Sequence, residues 1–168
     1  DFSAARNFAM SQCTTDWIFM LDADETLAPE CQGMVRQAIE QAPEDCGEIL
    51  PLMIMKAGPE TMQHYCQKIF RRGWGKWKYP SHNVYVLQKG VAIHNPNLKI
   101  IHNRERRGDQ RQRERAQQRN TMNEANFRRL VAEDPNDLRA VWYLALTLAE
   151  AGKLEESIPW WERYITKS

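Results

Sequence analysis

Two aspartates and a glutamate follow an apolar run near the start of the chain. The sequence WIFMLDADETL has five apolar residues, at positions 17–21, directly before Asp22, Asp24 and Glu25. Strand side chains alternate between faces, so the two aspartates would point the same way if a strand continued through them. Two such carboxylates repel each other unless a cation lies between or near them. The pattern predicts a site for Mg²⁺ or Mn²⁺, which also bind phosphate oxygens; the simpler alternative is an acidic, solvated turn.

The elements around this stretch place it in an α/β sheet. Ser3 is a good N-cap for a helix over residues 4–13, and Pro29 opens a second helix over residues 29–41. Between them, the apolar run is typical of a strand that is covered on both faces. Ligands of open α/β sheets bind beyond the carboxyl ends of the strands, which is where the two aspartates are expected.

The middle of the chain is predicted to be a mixed or antiparallel region. Short strands are expected over residues 49–55, 67–72, 84–88 and 98–102, with glycine and proline turns between them. The last of these strands ends in His102, whose imidazole is a candidate for the same site as the aspartates.

The C-terminal part is predicted to be helical. Residues 104–119 contain seven arginines, three acids and no aromatic residue, which favours a solvated helix or linker over a segment that binds nucleic acid. Two helices over residues 138–151 and 154–165, around a Gly-Lys turn, form a helical hairpin. The pattern DPNDLRAVWYLALTLAEAGKLEESIPWWERYI resembles one tetratricopeptide (TPR) unit of about 34 residues, and Pro159 departs from that pattern.

Composition limits the class of protein. The chain has 168 residues, of which 42% are hydrophobic and 27% charged, and its formal net charge is +1. These values are ordinary for a globular domain and argue against a protein that coats nucleic acid. No apolar run approaches the roughly 20 residues of a membrane-spanning helix. The four cysteines form no CxxC pair, which favours reduced thiols in a cytoplasmic protein.

Two enzyme families place carboxylates in this way. The first is the haloacid-dehalogenase-like phosphatases, whose apolar strand followed by DxDx[TV] matches WIFMLDADETL; the match would make Asp22 a nucleophile and Asp24 a general acid. That motif normally opens its domain, whereas here a helix is predicted before it, and no later apolar strand ends in paired acids. The context therefore favours the second family, the GT-A glycosyltransferases, in which DxD holds a metal on a nucleotide diphosphate.

The stretch DFSAARNFAMSQCTTDWIFMLDADETL resembles the core of family 2 glycosyltransferases, in the branch that carries TPR repeats. The segments KIFRRG, SHNVYV and IIHN continue the resemblance, and the helical hairpin follows where that branch places its repeats. The resemblance implies an α/β fold: a partial GT-A, Rossmann-like sheet with flanking helices over residues 1–103, then an α-helical linker and TPR-like hairpin over residues 104–168. The first GT-A strands would precede Asp1, so we expect a fragment or a truncation.

The resemblance also implies a metal-dependent transfer of sugar from a nucleotide-sugar donor, expected to be a UDP-sugar, to an acceptor nucleophile with inversion. Asp22 would lie near the ribose and the metal, and Asp24 would ligate Mn²⁺ or Mg²⁺ directly. His102 would complete the metal shell. Arg6 and Asn7 match the Arg-Asn pair that the family places beside the nucleotide pocket.

The sequence does not identify the catalytic base, the residue that deprotonates the acceptor hydroxyl. The family usually shows His-Glu where this chain has His82 and Asn83, and an asparagine side chain takes no proton at neutral pH. An inverting transfer needs a base to deprotonate the acceptor hydroxyl, so Glu25 and His82 are both candidates.

A second class of function is consistent with the same features. The departure at Asn83 and the missing first strands are consistent with an inert GT-A remnant that acts as a TPR-type binding module. A protein partner would then bind the helical hairpin. In either case, Trp74 and Trp77 are candidates for stacking on a sugar or for anchoring a loop.

Overall fold

The computed structural model describes residues 1–57, 60–102 and 110–168, in two compact units, Asp1–Arg106 and Arg107–Ser168. The first unit contains α1 (Phe2–Ser11), β1 (Trp17–Phe19), β2 (Glu25–Leu27), a 3₁₀ turn (Pro29–Cys31), α2 (Met34–Glu40), β3 (Cys46–Ala57), β4 (Glu60–Tyr65), β5 (Ile69–Arg71), β6 (Gly75–Lys78), β7 (Val84–Leu87) and β8 (Val91–His102). The second unit contains α3 (Gln110–Glu133), α4 (Leu138–Glu150) and α5 (Leu154–Lys167).

A mixed sheet forms the centre of the first unit. Its strand order is β1-β5-β3-β8-β2, and β4 also pairs with β3. β3 and β8 run parallel, whereas the other pairings in this sheet are antiparallel. The mixed α/β character predicted from the sequence is confirmed, and the assignment to the GT-A fold remains a prediction.

The sheet separates two apolar cores, as the alternation of strand side chains requires. On one face, Ile69 packs with Ile49 and the buried Cys31, against α2. On the other face, Phe70 packs with Ile18 and Met10, and Met10 belongs to α1. β1 contributes to both cores, which confirms the prediction that this apolar run is covered on both sides.

Several element boundaries differ from those predicted. The single helix expected over residues 29–41 is a 3₁₀ turn followed by α2, because Gly33 adopts a left-handed conformation with φ of 84° between them. β3 and β8 each extend to 12 residues, longer than expected. β2, β4 and β6 were not predicted: β2 has only three residues, and β4 and β6 are rich in polar residues. Both kinds of strand give a weak alternation signal.

The second unit contains the predicted helical hairpin. Asp137 caps α4, because its side chain accepts a hydrogen bond from the Ala140 amide. Gly152 turns the chain between α4 and α5 with φ of 78°, and α5 continues through Pro159. Leu144 and Leu148 of α4 are fully buried in a core that also includes Phe127 and Val131 of α3.

Some expectations fall outside the described residues. The Gly58-Pro59 turn and residues 103–109, which include the start of the Arg-rich run, are among them. Within the part of the chain that is described, no helix combines the length and apolarity needed to cross a membrane. All four cysteines are free.

A buried carboxyl group lies in the middle of the sheet. Glu48 of β3 is 3% exposed, and one of its oxygens accepts a hydrogen bond of 3.4 Å from the Gln67 side chain. Its other carboxyl oxygen has no hydrogen-bond partner among the described residues. Burial raises the pKa of Glu48 to about 7, since an apolar environment disfavours the charged form.

The raised pKa makes stability depend on pH. The folded state holds a proton on Glu48 up to about pH 7, whereas the unfolded chain releases it near its ordinary value of 4.5, so stability falls as pH rises through this window. We expect Glu48→Gln to stabilise the protein by about 3 kcal/mol at pH 8, and by much less at pH 5. Urea unfolding at both pH values measures this difference, with Glu40→Gln as the exposed control. An equal effect of Glu48→Gln at the two pH values would contradict the assignment.

Candidate functional site

A cleft of about 310 Å³ opens in the first unit. Charged side chains line one part of it, and sulfur-containing side chains of β3 and the β4–β5 connection line another. The lining residues are Arg6, Asp22, Glu25, Met53, Met55, His64, Cys66, Gln67, Lys68, Trp77, Asn83 and His102. Four of the predicted site residues, Arg6, Asp22, Glu25 and His102, are therefore brought together in one cleft.

Asp22 is held by two cations. One carboxylate oxygen lies 2.6 Å from an Arg6 guanidinium nitrogen, and the other lies 3.1 Å from the Lys68 ammonium. Burial alone would raise the pKa of Asp22, but Lys68 and Arg6 outweigh that effect and keep the pKa below its usual range. Asp22 is therefore ionised, and both of its oxygens already have partners. Its expected role as a metal ligand remains a prediction.

Lys68 also binds Glu25, which closes the turn after β1. The two side chains are 6% and 5% exposed, and the Lys68 ammonium lies 2.5 Å from the Glu25 carboxylate. The same Glu25 oxygen accepts a hydrogen bond of 2.9 Å from the Asp22 amide, while the Glu25 amide donates to the Asp22 carbonyl at 3.0 Å. These bonds fix the conformation of the DADE turn. They also pair Glu25, one of the two candidate bases, with the Lys68 ammonium.

Asp24 pairs with His102, and these two residues were predicted to share a metal. β2 and β8 are antiparallel, with Glu25 opposite His102, so the preceding turn brings Asp24 to the end of β8. His102 Nε2 lies 3.0 Å from Asp24 Oδ2, and the Asp24 side chain is 57% exposed. An oxygen and a nitrogen at this separation can both reach one cation.

The donor set fits a metal that takes its remaining ligands from a substrate. Carboxylate oxygen and imidazole nitrogen are both ligands that Mn²⁺ accepts, and Mg²⁺ sites often use one or two carboxylates together with substrate phosphates. Within the described ranges, no three His, Cys, Asp or Glu side chains converge to form a metal shell made of protein alone. Asp24 and His102 thus fit a site that a diphosphate would complete.

Arg6 and Asn7 of α1 make different contacts. The Asn7 side chain exchanges two hydrogen bonds of 2.9 Å with the Trp77 backbone and so joins α1 to β6. Arg6 lies over the Trp77 ring, 4.5 Å from its centroid, and reaches Asp22 in the cleft. Arg6 can therefore contact a ligand, whereas Asn7 positions the helix and is absent from the cleft lining.

His82 is the candidate base that does not line the cleft. It is exposed, adopts a positive φ of 47° in the loop before β7, and is not among the lining residues. The neighbouring Asn83 does line the cleft. The two tryptophans also separate: Trp77 is buried and lines the cleft, whereas Trp74 lies under the Arg71 and Lys89 side chains.

Lys68 and His64 are two of the cleft residues that sequence reasoning missed; the others are Met53, Met55, Cys66 and Gln67. Lys68 stands directly before the fully buried Ile69 and Phe70 in the segment KIFRRG. A lysine beside buried strand residues needs an anionic partner, and this was the available signal. His64 lies on β4, a strand whose polar sequence gave no prediction.

Comparisons with known proteins found similarity to two kinds of protein. Residues 1–49 match the family model described as Glycosyl transferase family 2, and this segment includes Arg6, Asp22, Asp24 and Glu25. A TPR repeat-containing protein of Synechococcus elongatus is 51% identical over 41 residues. That alignment covers 24% of this chain and 10% of the relative. At this coarse level, the chain is similar both to glycosyltransferases and to a TPR-containing protein.

The Lys68 network generates a prediction about stability. Lys68→Met leaves Glu25 buried without its cation, and breaking a buried pair in this way costs about 3–5 kcal/mol. We expect a loss of this size in the free energy of unfolding, measured by urea denaturation. The double variant Lys68→Met/Glu25→Leu should recover part of the loss, because the unpaired charge is removed with its partner.

Lys99→Met is the matched control for this experiment. Lys99 lies 3.6 Å from Glu30 with both side chains substantially exposed, so its loss should cost less than about 1 kcal/mol. Equal effects of Lys68→Met and Lys99→Met would show that the buried network does not hold the turn.

Proposed function

We propose that this protein acts as a metal-dependent glycosyltransferase, which transfers a sugar from a nucleotide-sugar donor to an acceptor hydroxyl. The observation that carries the proposal is the Asp24–His102 pair at 3.0 Å, beside a cleft that contains Asp22 and Arg6. The family 2 match over residues 1–49 supports the same activity. The acceptor and the sugar are left open, and a UDP-sugar is the proposed donor.

Asp24 and His102 are the proposed ligands of Mn²⁺ or Mg²⁺. When bound there, the metal would neutralise the charge that develops on the leaving diphosphate. Asp24 is well placed for this role, since its carboxylate is 57% exposed and the cations that hold Asp22 do not pair with it.

Arg6 and Asp22 are proposed to bind the nucleotide part of the donor. Arg6 presents a guanidinium to the cleft, which suits phosphate or carbonyl oxygens, and it is held in place by Asp22 and the Trp77 ring. Lys68 lies behind Asp22, where it fixes the carboxylate and leaves little of its own surface exposed. The charged side chains on this side of the cleft are therefore already held in position by one another in the absence of a ligand.

A TPR-type binding module is the second candidate function. Leu154, Ile158 and Ile165 of α5 are each more than half exposed, at a helical spacing that places them on one face. The similarity to a TPR repeat-containing protein favours the same reading. In that case the cleft would be a remnant without activity, and metal-dependent nucleotide binding would be absent.

Calorimetric titration with UDP in the presence of Mn²⁺ tests the proposal. We expect saturable binding that depends on the metal and that weakens at least tenfold in Asp24→Ala, which corresponds to about 1.4 kcal/mol. Asp24 is exposed, so this change should leave the fold intact.

Asp16→Ala is the matched control, since the Asp16 side chain is 91% exposed and pairs only loosely with Arg72 at 3.8 Å. This variant should bind as the unmodified protein does. Absence of any metal-dependent binding, even by the full-length protein, would reject the glycosyltransferase proposal and favour the binding module.

A further inference from the structure

Among the described residues, His64 is the imidazole of the cleft without a hydrogen-bond or ion-pair partner. It lines the cleft from β4, is exposed, and makes no hydrogen bond or ion pair within the described part of the chain. Its neighbour across the strands is the buried Met53 of β3. The side chain can therefore meet a molecule that enters the cleft.

The other lining groups that might accept a proton are already engaged. Asp22 is held by Arg6 and Lys68, and Glu25 is held by Lys68. His102 is paired with Asp24, and these two residues are the proposed metal ligands.

Two further lining residues are excluded by their chemistry. Asn83 is an amide that takes no proton at neutral pH. Burial raises the pKa of the Cys66 thiol to about 12, so it stays protonated. His64 is the proton acceptor that remains among the described lining residues.

The register of the sheet sets the distance between His64 and the proposed metal site. Met53 pairs with His64 on β4, while Met55, two residues further on, pairs with His102 on β8. β4 and β8 flank β3, so the two histidine backbones are separated by about 10 Å across the sheet and about 7 Å along it. All four side chains line the same cleft, so one ligand in the cleft can lie close to both histidines.

We propose that His64 is the general base that deprotonates the acceptor. This inference rests on the proposed function. The acceptor hydroxyl gives its proton to an imidazole nitrogen of His64, and the oxygen forms a bond to the anomeric carbon of the donor. The bond from that carbon to the diphosphate oxygen breaks, and its electron pair leaves with the nucleoside diphosphate. The imidazolium then releases its proton to water.

Release of UDP from UDP-glucose and UDP-N-acetylglucosamine, with Mn²⁺ present and water as the acceptor, tests the assignment. General bases contribute about 10²–10⁴-fold, so His64→Gln should lower kcat about 100-fold or more while the donor KM is unchanged. Added imidazole should restore turnover to His64→Gly. A purely structural role of His64 would give no such rescue.

His94→Gln is the matched control, because the His94 ring contacts the Tyr65 ring of β4 with centroids 4.2 Å apart but does not line the cleft. It should retain kcat. Unchanged turnover in His64→Gln would overturn the inference, and so would a loss in His82→Gln that imidazole restores. If UDP binding with Mn²⁺ persists in either case, the proposed function itself stands.

A second measurement does not depend on turnover. Addition of UDP-glucose with Mg²⁺ should shift the NMR resonances of the His64 imidazole, whereas UDP with Mg²⁺ should leave them in place. The His94 resonances serve as the reference that does not move. No shift with UDP-glucose, although UDP binds, would overturn the assignment of His64; failure of UDP to bind would overturn both this inference and the proposed function.

Discussion

The buried ammonium group of Lys68 is the constraint on which the cleft depends. It lies within 2.5 Å of Glu25 and 3.1 Å of Asp22, and these residues come from the turn after β1. The Lys68 carbonyl also accepts a hydrogen bond of 2.9 Å from the Met20 amide, which extends the pairing of β1 and β5 toward the turn. The Lys68 side chain is 94% removed from solvent, and a charge buried to this extent is stable only with such partners. The turn therefore cannot change conformation without leaving a buried charge unpaired or exposing it to solvent.

This network gives the carboxylates of the DADE turn different roles. Asp22 and Glu25 compensate cations, whereas Asp24 projects from the turn with 57% of its side chain exposed and contacts only His102 among the partners described for it. The same local sequence therefore supplies structural anions and a candidate metal ligand. The proposed donor site needs both kinds of carboxylate. Asp24 would hold the metal that binds the diphosphate, while Asp22 and Glu25 keep the turn folded through their ion pairs.

The strong local signals in the sequence predicted much of the fold. The apolar run before Asp22, the strand ending in His102 and the hairpin around Gly152 were all recognisable, because each has a clear hydrophobic pattern or turn residue. β4 was not recognisable, because its polar sequence is stabilised by pairing with β3 rather than by its own burial. His64 was missed with it.

The candidate site was predictable only where its members are close in sequence or end a clear strand. The Arg6–Asp22 pair joins residues 16 positions apart, and Lys68 meets Asp22 across 46 positions, so these partners depend on the tertiary fold. Similarly, the sequence could not show that Asn83 lines the cleft whereas His82 does not. The pairing of His102 with Asp24 was accessible because His102 ends an apolar strand and Asp24 closely follows the apolar run at residues 17–21.

Crystals grown with Mn²⁺ and UDP give the most direct test of the account. X-ray data collected at the manganese absorption edge locate the ion by its anomalous scattering. The account predicts a peak bonded to Asp24 Oδ2 and His102 Nε2, with the diphosphate completing its shell. A manganese peak elsewhere, or UDP bound away from Arg6 with no metal beside Asp24, would contradict it.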